Sequence, residues 1–229
     1  MNVDDRLVKA IRTGLAELAD PAKAPAMQAY MKSAMPFRGV AKPQRSTLMK
    51  RVLADHILPD RVTYSSTVLE LWRTAEFREE RYAAIDLSGY RAYRGWQDAG
   101  LLPMYEEMIV SGAWWDHVDE LAIRRVGPIL RADRARITPL MLSWAADADL
   151  WRRRTAIICQ VGAKEDTDTD LLTRAIEPAI AEPEFFLRKG IGWALRDHAR
   201  AEPEWVREFV QQHPGLSPLS VREATKHLS

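Results

Sequence analysis

The stretch Trp114-Trp115-Asp116-His117-Val118-Asp119 decides how this chain is read, because it breaks a pattern that the rest of the chain keeps. Elsewhere, segments that read as helical place a cation in one slot. It is Arg81 in Phe77-Arg78-Glu79-Glu80-Arg81-Tyr82, Arg154 in Leu150-Trp151-Arg152-Arg153-Arg154-Thr155, and Lys189 in Phe185-Phe186-Leu187-Arg188-Lys189-Gly190. The four slot positions Arg81, Asp119, Arg154 and Lys189 are separated by 38, 35 and 35 residues. A helical period of that length predicts an α-solenoid, an all-α fold of antiparallel helix pairs. Cations recurring in one slot predict a basic concave face on a curved array, suited to a polyanion. Asp119 then stands as a carboxylate inside a basic stripe, a helical turn from Trp115.

Working outward, the rest of the chain also reads as helix after helix. Val3, Leu7, Ile11 and Leu15 recur on one helical face, with Asn2 as a candidate cap. A second helix is expected over 21–33, carrying Met27, Tyr30 and Met31. Pro36 and Gly39 break the chain into a loop at 35–40, and Pro43 suits the first turn of a helix reaching about His56. Further helices are expected near residues 69, 83, 105, 121, 141, 156, 175, 191, 208 and 224. No run alternates as strands do, and no linker interrupts the 229 residues, so one continuous domain over 1–229 is expected.

Composition narrows the class. The chain is 47% hydrophobic and 28% charged, which suits a packed domain, and its net charge of +1 leaves any polyanion binding to charge distribution. The single Cys159 lies in the apolar run Ile157-Ile158-Cys159 and reads as a buried structural thiol. The five histidines are scattered, so neither a metal nor another cofactor is expected. The N-terminus lacks a signal-peptide pattern and no apolar run suits a membrane span, so a cytoplasmic protein without a membrane partner is expected.

Trp115 and Asp119, four apart on a helix, share a face, with Cβ atoms about 5–6 Å apart. Trp114 is rotated by about 100° toward the core. From the pattern alone two readings stand. The tryptophans pack between helices and Asp119 is a structural carboxylate, or the pair lines a reactive surface. Lys189 and Trp193 repeat the theme of a charge and an indole at i, i+4. Gly190 and Gly192 flank Ile191, and a glycine within a helix costs about 1 kcal/mol relative to alanine, so each suggests close approach by a backbone or a ligand. Arg152-Arg153-Arg154 spans most of a turn, so the three cannot share a face, and at least one is expected to be solvated or ion-paired. Tyr30 alone reads as half-buried packing.

Taken together, these blocks resemble the AlkD-like DNA alkylation repair family, the HEAT-like-repeat DNA glycosylases. The resemblance runs almost end to end. It includes Phe37-x-Gly39-Val40-x-x-Pro43-x-Arg45, Glu70-Leu71-Trp72, Trp114-Trp115-Asp116-x-Val118-Asp119, Arg154-x-Ala156-Ile157, Ile191-Gly192-Trp193-x-Leu195-Arg196 and Leu219-Ser220-x-Arg222-Glu223-Ala224. It implies hydrolysis of the N-glycosidic bond of positively charged N-alkylated purines in duplex DNA, chiefly 7-methylguanine and 3-methyladenine, without flipping the lesion into a pocket. It also implies a monomer associated with the nucleoid. The catalytic carboxylate would be Asp119, the aromatic wall Trp115, Trp193 and Tyr30, and the DNA-contacting arginine Arg154, with Lys189 and Arg81 in the same stripe. Arg152 and Arg153 depart from the family pattern. Two other classes fit a helical array: a non-catalytic DNA-shape binder and a protein-binding scaffold.

Overall fold

The computed structural model describes residues 2–228. All of its regular structure is helical, and among the described residues there is no strand. The chain gathers into two compact units that divide between Gln97 and Asp98.

In the first unit, α1 (Asp5–Glu17) buries Leu7, Ile11 and Leu15 completely. Its cap is Asp4, not Asn2: the Asp4 carboxylate accepts from the Leu7 backbone N–H at 2.9 Å. Val3 therefore lies ahead of the helix instead of on its buried face. The second helix is shorter than the 21–33 expected, since α2 covers only Ala24–Met31 and ends at Lys32, which is left-handed. Helices α3 (Lys42–Asp55), α4 (Arg61–Arg73) and α5 (Arg78–Ser88) complete the core with Leu48, Leu53, Val68, Leu71, Trp72 and Leu87. α1, α3 and α5 pack on one another.

The loop between α2 and α3 is pinned by one side chain. Fully buried Glu79 on α5 accepts from the backbone N–H groups of Arg38 at 2.9 Å, Gly39 at 2.9 Å and Val40 at 3.0 Å. The loop needs glycine at 39, where φ is +84° and a Cβ would lie 2.1 Å from the Asp20 carbonyl oxygen. A buried loop must satisfy its backbone donors, and here a carboxylate does so. This clamp fixes the chain that follows Tyr30.

In the second unit, α6 (Leu102–Gly112), α7 (Trp115–Leu121), α8 (Gly127–Ala132), α9 (Arg134–Ala145), α10 (Leu150–Ile158), α11 (Thr169–Ile176), α12 (Phe185–His198), α13 (Pro203–Gln212) and α14 (Pro218–Ala224) follow in order. α10 packs on α12 and α12 on α14, while α9 packs on α11. Contacts between every second helix are the neighbour pattern of a helical repeat. Ile158, Leu172, Ile176, Leu187, Ile191, Leu195 and Val206 form the core. Cys159 is buried there, and burial pushes its thiol up to about 12.

The single helix expected near residue 121 is in fact three pieces. A π-turn, Ala122–Val126, separates α7 from α8, and the Gly127 N–H reaches the Ala122 carbonyl. The cause is Pro128, which has no N–H for the Arg124 carbonyl four residues back. The Arg125 guanidinium donates to that carbonyl instead, at 3.1 Å. α8 must also start at glycine, because a Cβ on Gly127 would lie 2.2 Å from the Cys159 carbonyl oxygen.

Glu79→Gln tests the loop clamp. One acceptor oxygen becomes an NH2 group facing a backbone N–H, and one orphaned buried donor costs about 1–3 kcal/mol. Urea unfolding should show that loss, whereas undiminished stability would mean the loop holds itself.

Candidate active site

α7 is positioned by a corner. Ala113 ends α6 in the left-handed region at φ 39°, which costs a residue bearing a Cβ about 1 kcal/mol. Trp114 follows in extended conformation, and its carbonyl accepts from Val118 to start the helix. Aromatic packing holds the corner. The Trp114 ring lies 5.4 Å from Phe186 and 6.3 Å from Trp151, and Trp151 lies 5.1 Å from Phe186. Trp114 thus turns toward α10 and the start of α12, the coreward direction expected of it, but it does so as the extended cap ahead of α7 and not as a residue in helical phase with Trp115. Trp115 and Asp119, four apart within α7, share one face of it, and both are half-buried. His117 is fully buried, with Nδ1 3.4 Å from the Gly112 carbonyl.

The Asp119 carboxylate is gripped at both oxygens. Arg154 Nε donates to Oδ1 at 2.7 Å, and Nη2 donates to Oδ2 at 2.8 Å. Arg154 Nη1 donates to the Phe186 carbonyl. The Arg154 side chain is only 4% exposed and the Asp119 side chain 15%. The exposed phosphate contact expected of Arg154 is therefore not its geometry. Its three nitrogens already bond within the protein, and its planar fork suits a carboxylate held edge-on.

Gly190 explains how the guanidinium fits. A Cβ there would lie 3.2 Å from Arg154 Nη1 and 3.4 Å from Ile158 Cγ2. Burial pushes the Asp119 carboxyl above its ordinary value, with Asp116 adding to the push, while Arg154 pulls it back. The neighbouring arginines are ion-paired, the second of the readings available from sequence. Arg152 binds Glu106 at 2.9 Å and Asp147 at 3.3 Å, and Arg153 binds Glu182 at 3.1 Å.

A buried, oriented carboxylate on a tryptophan-bearing helix, within an all-helical chain, can be set beside known proteins. A model of the family described as DNA alkylation repair enzyme matches residues 11–228. This chain belongs to that family. It is similar to a solved structure described as a predicted DNA alkylation repair enzyme from Enterococcus faecalis, at 31% identity and a TM-score of 0.83, covering 92% of this chain and 97% of that one. A structure of AlkD2 from Streptococcus mutans shares the fold at 18% identity and a TM-score of 0.60, covering 78% of this chain and 87% of that one. A comparison with curated proteins found no match.

In this DNA alkylation repair family member, the remaining residues singled out by sequence lie as follows. Trp193 on α12 packs partly against the second unit's core. Lys189, one turn earlier, is 42% exposed and bonds Glu223 at 2.6 Å. In the first unit, the Arg81 guanidinium lies 4.8 Å from the centre of the Trp72 ring, and burial lowers its pKa, with nearby Arg78 adding to the effect. Tyr30 is 77% exposed, not half-buried as a lone tyrosine in that helix suggests. The slot residues are thus individually compensated by acids or rings rather than arrayed as free cations. The sequence placed Glu223 in a matched block but gave it no role, although extending the period from Lys189 lands near it.

Removing one partner of a buried ion pair leaves an uncompensated buried charge and costs about 3–5 kcal/mol. Arg154→Ala should therefore lower the unfolding free energy by about 3 kcal/mol, near the bottom of that range because Asp119 keeps some solvent. Chemical denaturation checks this, and a loss below about 1 kcal/mol would place the pair among ordinary surface bridges.

Proposed function

We propose that this protein is a DNA glycosylase that hydrolyses the N-glycosidic bond of positively charged N-alkylated purines, chiefly 7-methylguanine and 3-methyladenine, in duplex DNA. The observation that carries the reading is the Asp119 carboxylate, fixed by Arg154 yet still partly open to solvent, one helical turn from Trp115.

The chemistry suits a carboxylate without a partner acid. An alkylated purine already carries positive charge. When its bond to the sugar breaks, the electron pair goes to the base, which leaves neutral and needs no proton. The sugar is left as an oxocarbenium-like cation. A carboxylate about 4 Å away contributes roughly 4 kcal/mol at an effective dielectric of 20. Arg154 reduces that field, but it also keeps the carboxylate ionised and in one orientation, so little reorganisation is needed when charge develops. The same oxygens can hold the water that adds to the anomeric carbon, with its proton passing to Asp119 or solvent. The indoles of Trp115 and Trp193 would each add roughly 0.5–2 kcal/mol toward a cation.

Arg154 is assigned here as a positioning residue. Lys189, Arg81 and the exposed ring of Tyr30 are assigned to DNA contact, each within its own unit. A non-catalytic DNA-shape binder is the second reading. It gives no reason for desolvating a carboxylate beside an indole.

Incubation with methylated duplex DNA, followed by chromatography of released bases, tests the reading. Release of 7-methylguanine and 3-methyladenine is expected. Uracil and hypoxanthine, which leave with developing negative charge, should be released slower by several orders of magnitude. Equal single-turnover rates for uracil and 7-methylguanine would sink the mechanism. Asp119→Asn keeps the size and removes the charge, so the rate should fall on the order of 10²–10³-fold, about 3–4 kcal/mol, with DNA still bound.

The ionised carboxylate is the active form. Because burial raises its folded-state value, activity should be lost as pH falls through an apparent pKa above the ordinary 3.8. A rate profile still flat at that pH would remove Asp119 from the reaction.

A further inference from the structure

Lys189, Trp193 and Arg196 are spaced i, i+4, i+7 along α12, so they occupy one face of that helix. Glu223 on α14 bridges the two cations. Its Oε1 takes Lys189 Nζ at 2.6 Å, and its Oε2 takes Arg196 Nη1. The bridge is rigidly built. α14 approaches α12 so closely at Gly192 that a Cβ there would lie 2.5 Å from Glu223 Cβ and 3.0 Å from the Ser220 carbonyl oxygen. Lys189's hydrogen bond, with Arg196 close by, holds the Glu223 carboxyl below its ordinary value, so it stays an anion at neutral pH.

The charge arithmetic differs from that of the neighbouring arginines. Arg152 has two acids, Glu106 and Asp147, and Arg153 has Glu182 together with the Pro178 carbonyl. Here two cations share one acid. Lys189 is 42% exposed and Arg196 23%, while Glu223 is 15% exposed. Solvent thus reaches the cations more readily than the acid between them. The two oxygens of Glu223, each accepting from one cation, have the acceptor pattern of the two non-bridging oxygens of a phosphodiester.

We propose that Lys189 and Arg196 form a binding site for a backbone phosphodiester beside Trp193, and that Glu223 is its built-in competitor, occupying the cations until phosphate displaces or shares them. This rests on the reading that the ligand is DNA. An incoming phosphate must weaken two charge-assisted bonds, so Glu223 lowers affinity and reduces the net counterion release on binding. The consequence for an enzyme that must leave its product is weaker retention of DNA after the base has gone.

The test is a salt titration of binding to an unmodified duplex oligonucleotide by the full chain and by Glu223→Gln, with base release from methylated duplex measured in parallel. The substitution keeps the Cβ that packs on Gly192. Glu223→Gln should bind several-fold tighter at low salt, and its log K against log salt plot should steepen by about one phosphate's worth. Adding Lys189→Ala to that variant should remove the gain. Thermal unfolding of each variant establishes that it is folded, and Glu223→Asp serves as the second probe if the Gln variant is not: its shorter arm should loosen the bridge and give a smaller gain of the same sign. Unchanged or weaker binding by a folded variant, with base release intact, overturns the competitor role and leaves the glycosylase reading standing. A tighter, steeper Gln variant in a protein that releases no base supports the phosphate site and overturns the glycosylase reading. No duplex binding by any form overturns both.

Discussion

The bidentate pair between Arg154 and Asp119 is the interaction on which the second unit's architecture depends. Taking two charges out of water costs several kcal/mol per ion, so a pair this buried persists only if its donors and acceptors are matched. Here both carboxylate oxygens and all three guanidinium nitrogens are engaged, the last donor going to the Phe186 carbonyl. The surroundings are shaped to the same end. Gly190 leaves the guanidinium room, and Trp114, Trp151 and Phe186 close against one another beside it. Three segments far apart in sequence therefore meet at one ion pair: the second half of α7, the middle of α10 and the first turn of α12.

The pair also resolves an electrostatic conflict. A buried carboxylate tends to neutralise itself by taking up a proton, and burial does push Asp119 in that direction. A guanidinium, which does not lose its proton in proteins, opposes the shift without being able to donate a proton to the carboxylate. The result is an anion that is oriented and largely desolvated, with a side chain still 15% exposed. A lysine in the Arg154 position would supply charge without a fork to fix both oxygens.

Repetition and local exception work together in this chain. Arg154, Lys189 and Glu223 sit on α10, α12 and α14, which stack in succession. Nearly equal spacing places them at similar positions on successive helices, where each can meet its neighbour. Asp119 on α7 reaches Arg154, and Lys189 reaches Glu223. The stack is drawn closest at Gly192, against α14. Between α7 and α8 the regular ladder gives way to a π-turn, the response to a proline that cannot donate.

The sequence by itself determined what depends on angle and on near neighbours. Helical phase put Trp115 with Asp119, because residues four apart share a face whatever surrounds the helix, whereas Trp114 stands ahead of the helix in extended conformation and takes its direction from that corner. The period identified the repeat, and the run around Cys159 marked a buried thiol. Local competition was harder to read: Asp4 outbids Asn2 as the cap, and Pro128 divides one expected helix into α7, a π-turn and α8. What only the tertiary structure decided was which partner each charge has. The slot that suggested an exposed cation at Arg154 holds a buried one, and the Glu223 that bridges Lys189 and Arg196 was not singled out as their partner. Tyr30, expected to be half-buried, is open to solvent. Periodicity fixes the direction in which a side chain leaves its helix. Burial and ion pairing depend on what stands opposite, and that is set by glycine-sized gaps and helix contacts between segments some 35 residues apart.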